Sequence, residues 1–403
     1  MIVLGHWGSR PVTISIKPNC LTVSIDGPKE AIVYSFDYAG RLWTAFLDGI
    51  AYRRGLDGKM VAKWRLPGSE RERQWLMPEA VNALIERIRE EISGLYAAIQ
   101  SGAVGLNAPL PLAAELVFER AIRFDAAHSQ ADAAQYDAVY KPVGILPPDQ
   151  YMAVVLQATE GCSFNTCTFC SFYKDRPFRI KKPDEFRRHA REVRDFLGDG
   201  LSLRRTIFLG DANALVVPMP RLLPLLEVVH EVYDVAALGG LYAFLDGFSA
   251  EKKTARDYAL LARRGLARVY IGLESGNTEL LDFLKKPGKP EDSIEAVRAM
   301  KAGGVAVGVI VLLGAGGHTY AEAHVRDTIQ VINAMDLSED DILYFSELVV
   351  DENLLYARDA YQAGLKPLTR DERIAQGERI EEGLRFSGRT PQISRYNIRE
   401  FIY

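Results

Sequence analysis

Cysteine is scarce in this sequence, and long apolar runs are missing from it. Four cysteines stand among 403 residues, and no apolar stretch approaches the roughly 18 residues that a membrane-spanning helix needs. Residues 1–10 carry neither the basic start nor the long apolar stretch of a signal peptide. We therefore expect a cytoplasmic protein that has no membrane partner.

An excess of basic residues is also missing. The chain has 49 Lys and Arg against 53 Asp and Glu, a net charge of −4, which gives no general attraction to nucleic acid. Nucleic acid is therefore not indicated as a partner. The 48% of hydrophobic and 25% of charged residues are typical of a globular protein with a sizeable core.

The four cysteines are unevenly placed. Cys20 stands alone, whereas Cys162, Cys167 and Cys170 lie within nine residues of each other. Disulfides are not expected, because a large cytosolic protein sits in a reducing compartment and three crowded thiols cannot pair evenly. The clustering favours metal binding.

Two regions of the chain have different patterns, and the Pro147–Pro148 pair separates them. Residues 1–145 begin with short β-branched segments at 12–16, 21–25 and 31–36, followed by helical stretches at 78–100 and 109–127. They predict an N-terminal domain that is β-rich plus helical. The role of this domain is not readable from the sequence.

Residues 146–350 alternate between apolar β-rich runs and amphipathic helical stretches, which is the pattern of repeated strand–helix units around a parallel sheet. The pattern predicts an α/β domain, a partial parallel (β/α)6 barrel, and residues 351–403 are expected to add a helix at 370–385 and a tail that closes one end. The predicted strands are 152–158, 205–209, 237–245, 267–273, 305–313 and 342–348, and the predicted helices are 184–197, 219–233, 249–264, 291–302 and 319–335.

The three clustered cysteines follow the first strand of this domain with the spacing C-x4-C-x2-C. Three thiolates in one short loop can bind three irons of a 4Fe-4S cluster and leave the fourth iron open to a substrate. Zinc is the main alternative, but a structural zinc site needs four ligands. Cys20 lies in the other domain and His189 is predicted in the next helix, so neither is a natural fourth ligand. Inert buried cysteines are a third reading.

The segment from about 150 to 350 resembles the radical S-adenosylmethionine (radical SAM) superfamily. The resemblance is carried by the cysteine loop directly after the first strand, by Phe169 before the last cysteine, and by the later strand ends. This chain has four residues between the first two cysteines, where three are common; four are known in some branches. The resemblance implies a barrel of radical SAM type, a 4Fe-4S cluster at Cys162, Cys167 and Cys170, and S-adenosyl-L-methionine bound at the open iron.

The resemblance also implies cofactor contacts at the strand ends, where such folds place their sites. Gly210 and Asp211 correspond to residues that contact the methionyl amino group, although Gly-Asp-Ala-Asn is also an ordinary turn. Glu274 corresponds to an acid that binds ribose hydroxyls, and a surface ion pair is its alternative reading. Ser275 assists Glu274 or caps the next helix, and Gly314 approaches the adenine.

The activity implied is reductive cleavage of S-adenosylmethionine to methionine and a 5′-deoxyadenosyl radical, which abstracts hydrogen from an organic substrate. That substrate, whether small molecule or macromolecule, is not readable. Candidate side chains near the barrel mouth are Tyr173, Tyr242, Asp246, Tyr344 and Glu347.

A basic run covers residues 174–182. It is a solvated face, or a docking patch for an acidic electron donor of the flavodoxin or ferredoxin type or for an anionic substrate. No cysteine follows Cys170, so an auxiliary cluster is not expected, and no cobalamin-binding domain is evident. Two other functions stay open: a non-catalytic iron–sulfur redox or electron-transfer protein, and a zinc-stabilised binding module.

Overall fold

The computed structural model describes residues 1–27, 30–65, 71–248 and 252–403. The chain divides into two compact units. The first contains Met1–Pro142, Arg191–Arg205 and Ile402–Tyr403, and the second contains Val143–Ala190 and Thr206–Phe401. The second unit takes in nearly all of 351–403, the predicted helix and tail. Among the described residues, no helix is both long and apolar enough to cross a membrane.

The first unit contains an antiparallel sheet of nine strands within the described residues. Eight strands follow each other as neighbours, and the ninth pairs with the first. The three segments predicted as strands lie in β2, β3 and β4. The strands are β1 (Ile2–Trp7), β2 (Arg10–Ile16), β3 (Leu21–Asp26), β4 (Ala31–Phe36), β5 (Leu42–Leu47), β6 (Ile50–Arg54), β7 (Met60–Arg65), β8 (Arg71–Trp75) and β9 (Val104–Leu106).

Two helices, α1 (Pro78–Gln100) and α2 (Leu112–Arg123), pack their apolar side chains against this sheet, and Val81, Leu84, Ile85, Ile88 and Ile92 of α1 lie in the shared core. A third helix, α3 (Ala126–Val139), follows α2. The single helix predicted at 109–127 is wrong, because α2 ends before Asp125. The Asp125 side chain accepts a hydrogen bond from His128 N and starts α3 instead.

The second unit is built on a parallel sheet, which confirms the predicted α/β class. Seven strands of the described residues pair in chain order, and β10 is buried along its whole length, as expected for a strand covered on both faces. The strands are β10 (Ala153–Gln157), β13 (Thr206–Gly210), β14 (Leu241–Phe244), β15 (Leu266–Glu274), β16 (Ala306–Leu313), β17 (Ile342–Glu347) and β18 (Gln392–Tyr396), and β11 (Thr159–Glu160) forms a small hairpin with β12 (Arg179–Ile180).

Two predicted features of this sheet need correction. Residues 393–403 were expected only to close one end, but β18 joins the sheet parallel to β17. The strand predicted at 237–245 is shorter, because Gly239 and Gly240 have positive φ in the turn that precedes β14. Strand β18 was not predicted because polar residues alternate along it. Strand β14 was predicted too long because apolar residues flank the two glycines.

The remaining helices connect the strands. The helix predicted at 249–264 is shorter, since α6 begins at its Thr254 cap; positions 249–251 lie outside the described residues. Two short helices, α7 and α10, were not predicted. The helices are α4 (Pro183–Leu197), α5 (Met219–Val232), α6 (Ala255–Ala262), α7 (Thr278–Phe283), α8 (Pro290–Ala302), α9 (Gly317–Met335), α10 (Leu355–Gln362) and α11 (Arg370–Gly383).

Candidate active site at the carboxyl ends of the parallel strands

The cysteine loop leaves the sheet through a turn that only glycine fits well. Gly161 has φ +75°, and a Cβ there would lie 2.9 Å from the carbonyl oxygen of Pro177. The chain can therefore double back between the strand and the segment that follows the loop. This path brings Cys162, Cys167 and Cys170 to the wall of one cavity.

The cavity opens at the carboxyl ends of the parallel strands. It holds about 1020 Å³ of empty space including its open mouth, which is enough for a cofactor of several hundred Å³. Apolar and aromatic side chains make up most of its wall. Eight residues singled out from the sequence line it together: Cys162, Cys167, Cys170, Phe169, Tyr173, Asp246, Glu274 and Glu347.

The donor set of the cavity fits a cluster that is bound by three thiolates. In the described residues, no group of three or more His, Cys, Asp or Glu side chains is arranged to hold a single metal ion. A 4Fe-4S cluster makes a different demand, because each thiolate binds its own iron and the sulfurs need not meet at one point. Burial raises the pKa of Cys167 to about 12 and also raises that of Cys170. A metal must therefore displace the thiol protons as it binds.

Asp211 does not line the cavity. Its carboxylate is buried and accepts hydrogen bonds from Gln157 Nε2 at 2.7 Å, Gly161 N at 3.0 Å and Arg176 Nε at 3.1 Å. Burial raises the pKa of Asp211, and the Arg176 guanidinium opposes that shift. Asp211 thus ties the start of the cysteine loop to β10. Its neighbour Ala212 is the residue of this strand end that reaches the cavity.

Glu274 points into the cavity from an irregular strand end. The register of β15 against β16 shifts between Gly272 and Glu274, and Glu274 has φ +60°. A Cβ on Gly272 would lie 2.3 Å from Glu274 Oε1, so the glycine makes room for the carboxylate. Burial raises the pKa of Glu274, and Lys286, whose Nζ lies 3.4 Å from Oε1, opposes the shift.

Asp246 lies at the carboxyl side of the neighbouring strand β14. Asn213 Nδ2 donates to its Oδ2, and Ser163 Oγ lies 3.5 Å from the same oxygen. Burial raises the pKa of Asp246, and Lys286 opposes the shift. Its Oδ1 accepts no hydrogen bond from any described residue. Ser163 belongs to the four-residue spacer between Cys162 and Cys167, so the spacer contacts Asp246.

Glu347 and Tyr173 lie at two other parts of the wall. Arg373 donates to Glu347 Oε2 through Nε and Nη2, both at 3.3 Å. Tyr173 is buried, with the Arg176 guanidinium 5.4 Å from its ring centre. Burial raises the pKa of Tyr173 far above its usual value, so its phenol stays protonated at neutral pH.

Ser275, Gly314 and Gly210 are not brought to the cavity wall. Ser275 Oγ lies 2.7 Å from His324 Nδ1 and accepts from Asn277 N, and the cap of the next helix is Asn277 and not Ser275. Gly314 has φ +84° and donates through its N–H to Gln376 Oε1. Gly210 packs against Val155, where an added Cβ would lie 3.3 Å from a side-chain carbon.

The expected placement of Tyr242 and Tyr344 near the mouth is corrected. Tyr344 OH donates to Asp149 Oδ1 at 2.8 Å, and Asp149 precedes β10. Tyr242 lines a separate polar cleft with residues that precede β16 and β17. Both rings therefore lie toward the amino ends of the strands, because they occur early in their strands and side-chain height follows position along a strand.

Part of the basic run at 174–182 is directed inward, because Arg176 and Lys181 are buried. Arg176 pairs with Asp211, and Arg179 and Lys181 both pair with Glu160. These ion pairs hold the segment after the cysteine loop against the strand end before it. The run therefore braces the loop, and only part of its charge is left for an external partner.

Lys286 and Asn213 also belong to the site, but neither was predicted. Lys286 lines the cavity, and Asn213 positions Asp246. Asn213 stood in the strand-end turn beside Asp211, so its position was a usable signal. Lys286 lies past α7 with no spacing signature, and only the polar cap at Asn277 hinted that the chain turns back there.

Comparison with known proteins gives one family match. Residues 156–332 match the family model described as the radical SAM superfamily; they are fewer than half of the 403 residues. No curated protein matches the chain. Members of this superfamily are enzymes that use a 4Fe-4S cluster together with S-adenosylmethionine.

Several solved structures are partly similar to this chain. The cobalamin-dependent S-adenosylmethionine radical enzyme OxsB matches with 16% identity and TM-score 0.37 over 57% of this chain and 31% of its own. The methyltransferase TsrM from Kitasatospora setae matches with 18% identity and TM-score 0.41 over 56% and 44%. Coproporphyrinogen III oxidase HemN from Escherichia coli matches with 12% identity and TM-score 0.40 over 61% and 54%.

The match with OxsB spans about a third of that protein's length. The family match, in contrast, starts inside β10 and ends inside α9, so it includes the cysteine loop and the strand ends around the cavity. Residues 156–332 of this chain are therefore similar to the radical SAM superfamily over the cysteine loop and the strand ends that surround the cavity.

Proposed function

We propose that this protein cleaves S-adenosylmethionine reductively and uses the resulting 5′-deoxyadenosyl radical to abstract hydrogen from an organic substrate. The observation that carries the proposal is the shared cavity of Cys162, Cys167, Cys170 and Glu274. This chemistry needs a cluster with an open iron and a nucleoside held beside it, and here three thiolates and a carboxylate that can accept from ribose hydroxyls face the same space.

The cysteine loop is assigned the cluster. When bound, the cluster supplies one electron that splits the sulfur–C5′ bond of S-adenosylmethionine into methionine and the 5′-deoxyadenosyl radical, which takes a hydrogen atom from the substrate. Asp211 and Arg176 hold the loop in place from outside the cavity, through the hydrogen bonds of the Asp211 carboxylate to Gly161 N and Arg176 Nε. Phe169, beside the last cysteine, packs in the apolar part of the wall and helps to exclude water.

Glu274 is assigned the ribose. Its Oε2 accepts no hydrogen bond from any described residue, so this oxygen is available to vicinal hydroxyls. Asp246 is assigned to the substrate side, because its Oδ1 is similarly available and its partner Ser163 lies in the cysteine loop. Both carboxylates are fixed before a ligand arrives, which lowers the cost of binding.

The electron must come from a partner. We assign this role to a flavodoxin- or ferredoxin-type protein, and we place the enzyme in the cytoplasm. All four cysteines are free thiols in the structure, which fits a reducing compartment.

Product formation tests the proposal. The protein is reconstituted anaerobically with iron and sulfide, then mixed with S-adenosylmethionine and dithionite, and 5′-deoxyadenosine is quantified. We expect product with the wild-type protein and none above background with Cys162→Ala. Absence of product from the iron-loaded wild-type protein would contradict the proposal and favour an electron carrier, and one zinc with no iron or sulfide would favour a binding module.

A further inference from the structure

Lys286 is the one cationic residue that lines the cavity in the described part of the chain. Its side chain is 12% exposed, and its Nζ lies 3.4 Å from Glu274 Oε1 and 5.8 Å from the ring centre of Phe248. A buried ammonium is costly unless it is paired. Other contacts must therefore hold the segment that carries Lys286 in this position.

The backbone before Lys286 is fastened to the cysteine loop. Thr168 donates to Leu284 O through its N–H at 3.0 Å, and Thr166 Oγ1 donates to Lys285 O at 3.0 Å. These two threonines are the residues on either side of Cys167. The segment that carries the lysine is therefore held directly by the residues that flank a cluster thiol.

The lysine faces several groups that are negative or become negative. Burial works against its charge, but Glu274, the Cys167 thiol and Asp246 together raise the pKa of Lys286 above its usual value. The ammonium therefore stays charged at neutral pH. Thiolates bound to iron add negative charge on the same side, so the cation is favoured further when a cluster is present.

Glu274 depends on this cation for its orientation. Lys286 is the one described residue that hydrogen bonds to its carboxylate. The backbone of Glu274 adopts φ +60°, and Oε1 occupies the space that a Cβ on Gly272 would fill. Without Lys286, no described residue donates a hydrogen bond that holds the carboxylate in this orientation.

We propose that Lys286 is a positioning residue that holds Glu274 toward the ribose of S-adenosylmethionine and places a fixed positive charge beside the cluster. The proposal rests on the proposed function above, because it needs both cofactors at this site. It extends that function by joining the nucleoside-binding strand end to the cysteine loop through one side chain.

The test compares two neighbouring lysines. Lys286→Met removes the buried charge and keeps the chain length, and Lys285→Met is the matched control, because Lys285 is half exposed and pairs with Asp359 at the surface. Affinity for S-adenosylmethionine is measured by isothermal titration on anaerobic, cluster-loaded protein. We expect the dissociation constant to rise about tenfold or more in Lys286→Met, the size of losing one charged hydrogen-bond partner, and to stay near that of the wild type in Lys285→Met.

A double-mutant cycle shows whether the lysine acts through Glu274. Lys286→Met is measured again in a Glu274→Gln background, where we expect it to cost much less affinity, because the group it positions is gone. Redox titration of the cluster, followed by electron paramagnetic resonance without S-adenosylmethionine, gives a second readout. We expect a more negative midpoint potential in Lys286→Met, since a nearby cation stabilises the reduced cluster.

Lys286→Arg keeps the proposal testable if Lys286→Met assembles no cluster. It retains the charge, so we expect a potential close to that of the wild type, with weaker binding of S-adenosylmethionine because the larger group does not reproduce the contact to Glu274. An unchanged dissociation constant in both variants, or additive losses in the cycle, would overturn the proposal. If the wild-type protein itself fails to bind S-adenosylmethionine, the proposed function is what fails.

Discussion

The two ends of the parallel sheet use the same kinds of polar residue for opposite purposes. At the amino end, Asp149 accepts hydrogen bonds from Tyr344, Tyr270 and Arg268. At the carboxyl end, Asp246 and Glu274 each bind the protein through one oxygen only among the described residues. One end satisfies its carboxylate internally, and the other leaves oxygen atoms available to a ligand.

This difference explains why residue type alone misplaced part of the site. A tyrosine or an aspartate within the parallel strands is equally suited to a structural cluster or to a binding cavity. A structural cluster differs from a binding cavity in whether neighbouring side chains already form all the hydrogen bonds that the polar group can make. The following predictions are designed to break or sharpen this contrast between the ends.

Removing a cluster ligand is expected to have the largest effect. Cys162→Ala should lose essentially all bound iron after reconstitution, because a cubane held by two thiolates has two irons without protein ligands. Iron and sulfide analysis measures this. Cys20→Ala is the control, since Cys20 is buried in the first unit, and it should retain the wild-type iron content; equal iron in both variants would contradict the assignment.

Acid should lower the stability of the fold near the carboxyl ends of the parallel strands, because a buried histidine there becomes protonated. Burial lowers the pKa of His324, which contacts Ser275, to about 4. In the unfolded chain His324 binds a proton below about pH 6.5, whereas in the folded protein it binds one only below about pH 4. The contribution of the neutral histidine to stability is therefore complete above pH 6.5 and is lost as the pH falls from 6.5 to 4. Between pH 7 and pH 5 the loss is about 2 kcal/mol.

Hydrogen exchange of peptides from β15 to β17 measures this loss. Tryptophan fluorescence is unsuitable, because Trp7, Trp43, Trp64 and Trp75 all lie in the first unit. His324→Gln should be less stable at pH 7 and should show a smaller further loss at pH 5. His230→Gln, at an exposed position, should behave as the wild type does. The same pH dependence in His324→Gln would rule out this histidine as the cause.

Glu274→Gln should weaken the binding of S-adenosylmethionine about tenfold, the effect of replacing a charged hydrogen-bond acceptor by a neutral one. The iron content should not change, because the proposed role of Glu274 is to bind the ribose and not the cluster. Titration calorimetry on cluster-loaded protein measures the affinity. Glu347→Gln is the matched control, because Glu347 also lines the cavity but pairs with Arg373, and an equal loss of affinity in both variants would contradict the special role of Glu274.

Asp149→Asn should have the smallest effect of these substitutions, and it should change only the stability of the protein. The substitution weakens contacts with two tyrosines and Arg268 at a partly exposed position, at a cost of about 1 kcal/mol. Hydrogen exchange of the strand peptides reports the cost. Affinity for S-adenosylmethionine should stay unchanged; a clear loss of affinity would show that the amino end is not merely structural.

The sequence was sufficient for the features that short-range patterns determine. Apolar runs such as β10 and β16 predicted parallel strands because both faces of such strands are buried. The cysteine loop was recognisable because cluster ligation needs three thiolates close together in the chain. Glu274, which lines the cavity, was singled out because it stands at a strand end in a segment that resembles the ribose-binding segment of the family.

Other features depend on distances that the sequence does not contain. Lys286 reaches the site because Thr166 and Thr168 hydrogen bond to residues more than 100 positions away. Tyr344 was misplaced because its height in the sheet depends on the register of β17 against β16. The β18 strand escaped notice because its alternating polar residues, Gln392–Tyr396, resemble a surface segment until β17 is there to pair with it.

The central claim is that three thiolates hold a cluster whose open iron faces the same cavity as Glu274. The most direct test is the electron paramagnetic resonance spectrum of the dithionite-reduced protein, recorded with and without S-adenosylmethionine. We predict a 4Fe-4S signal that changes when S-adenosylmethionine is added. A cluster signal that is identical in both samples would contradict the claim.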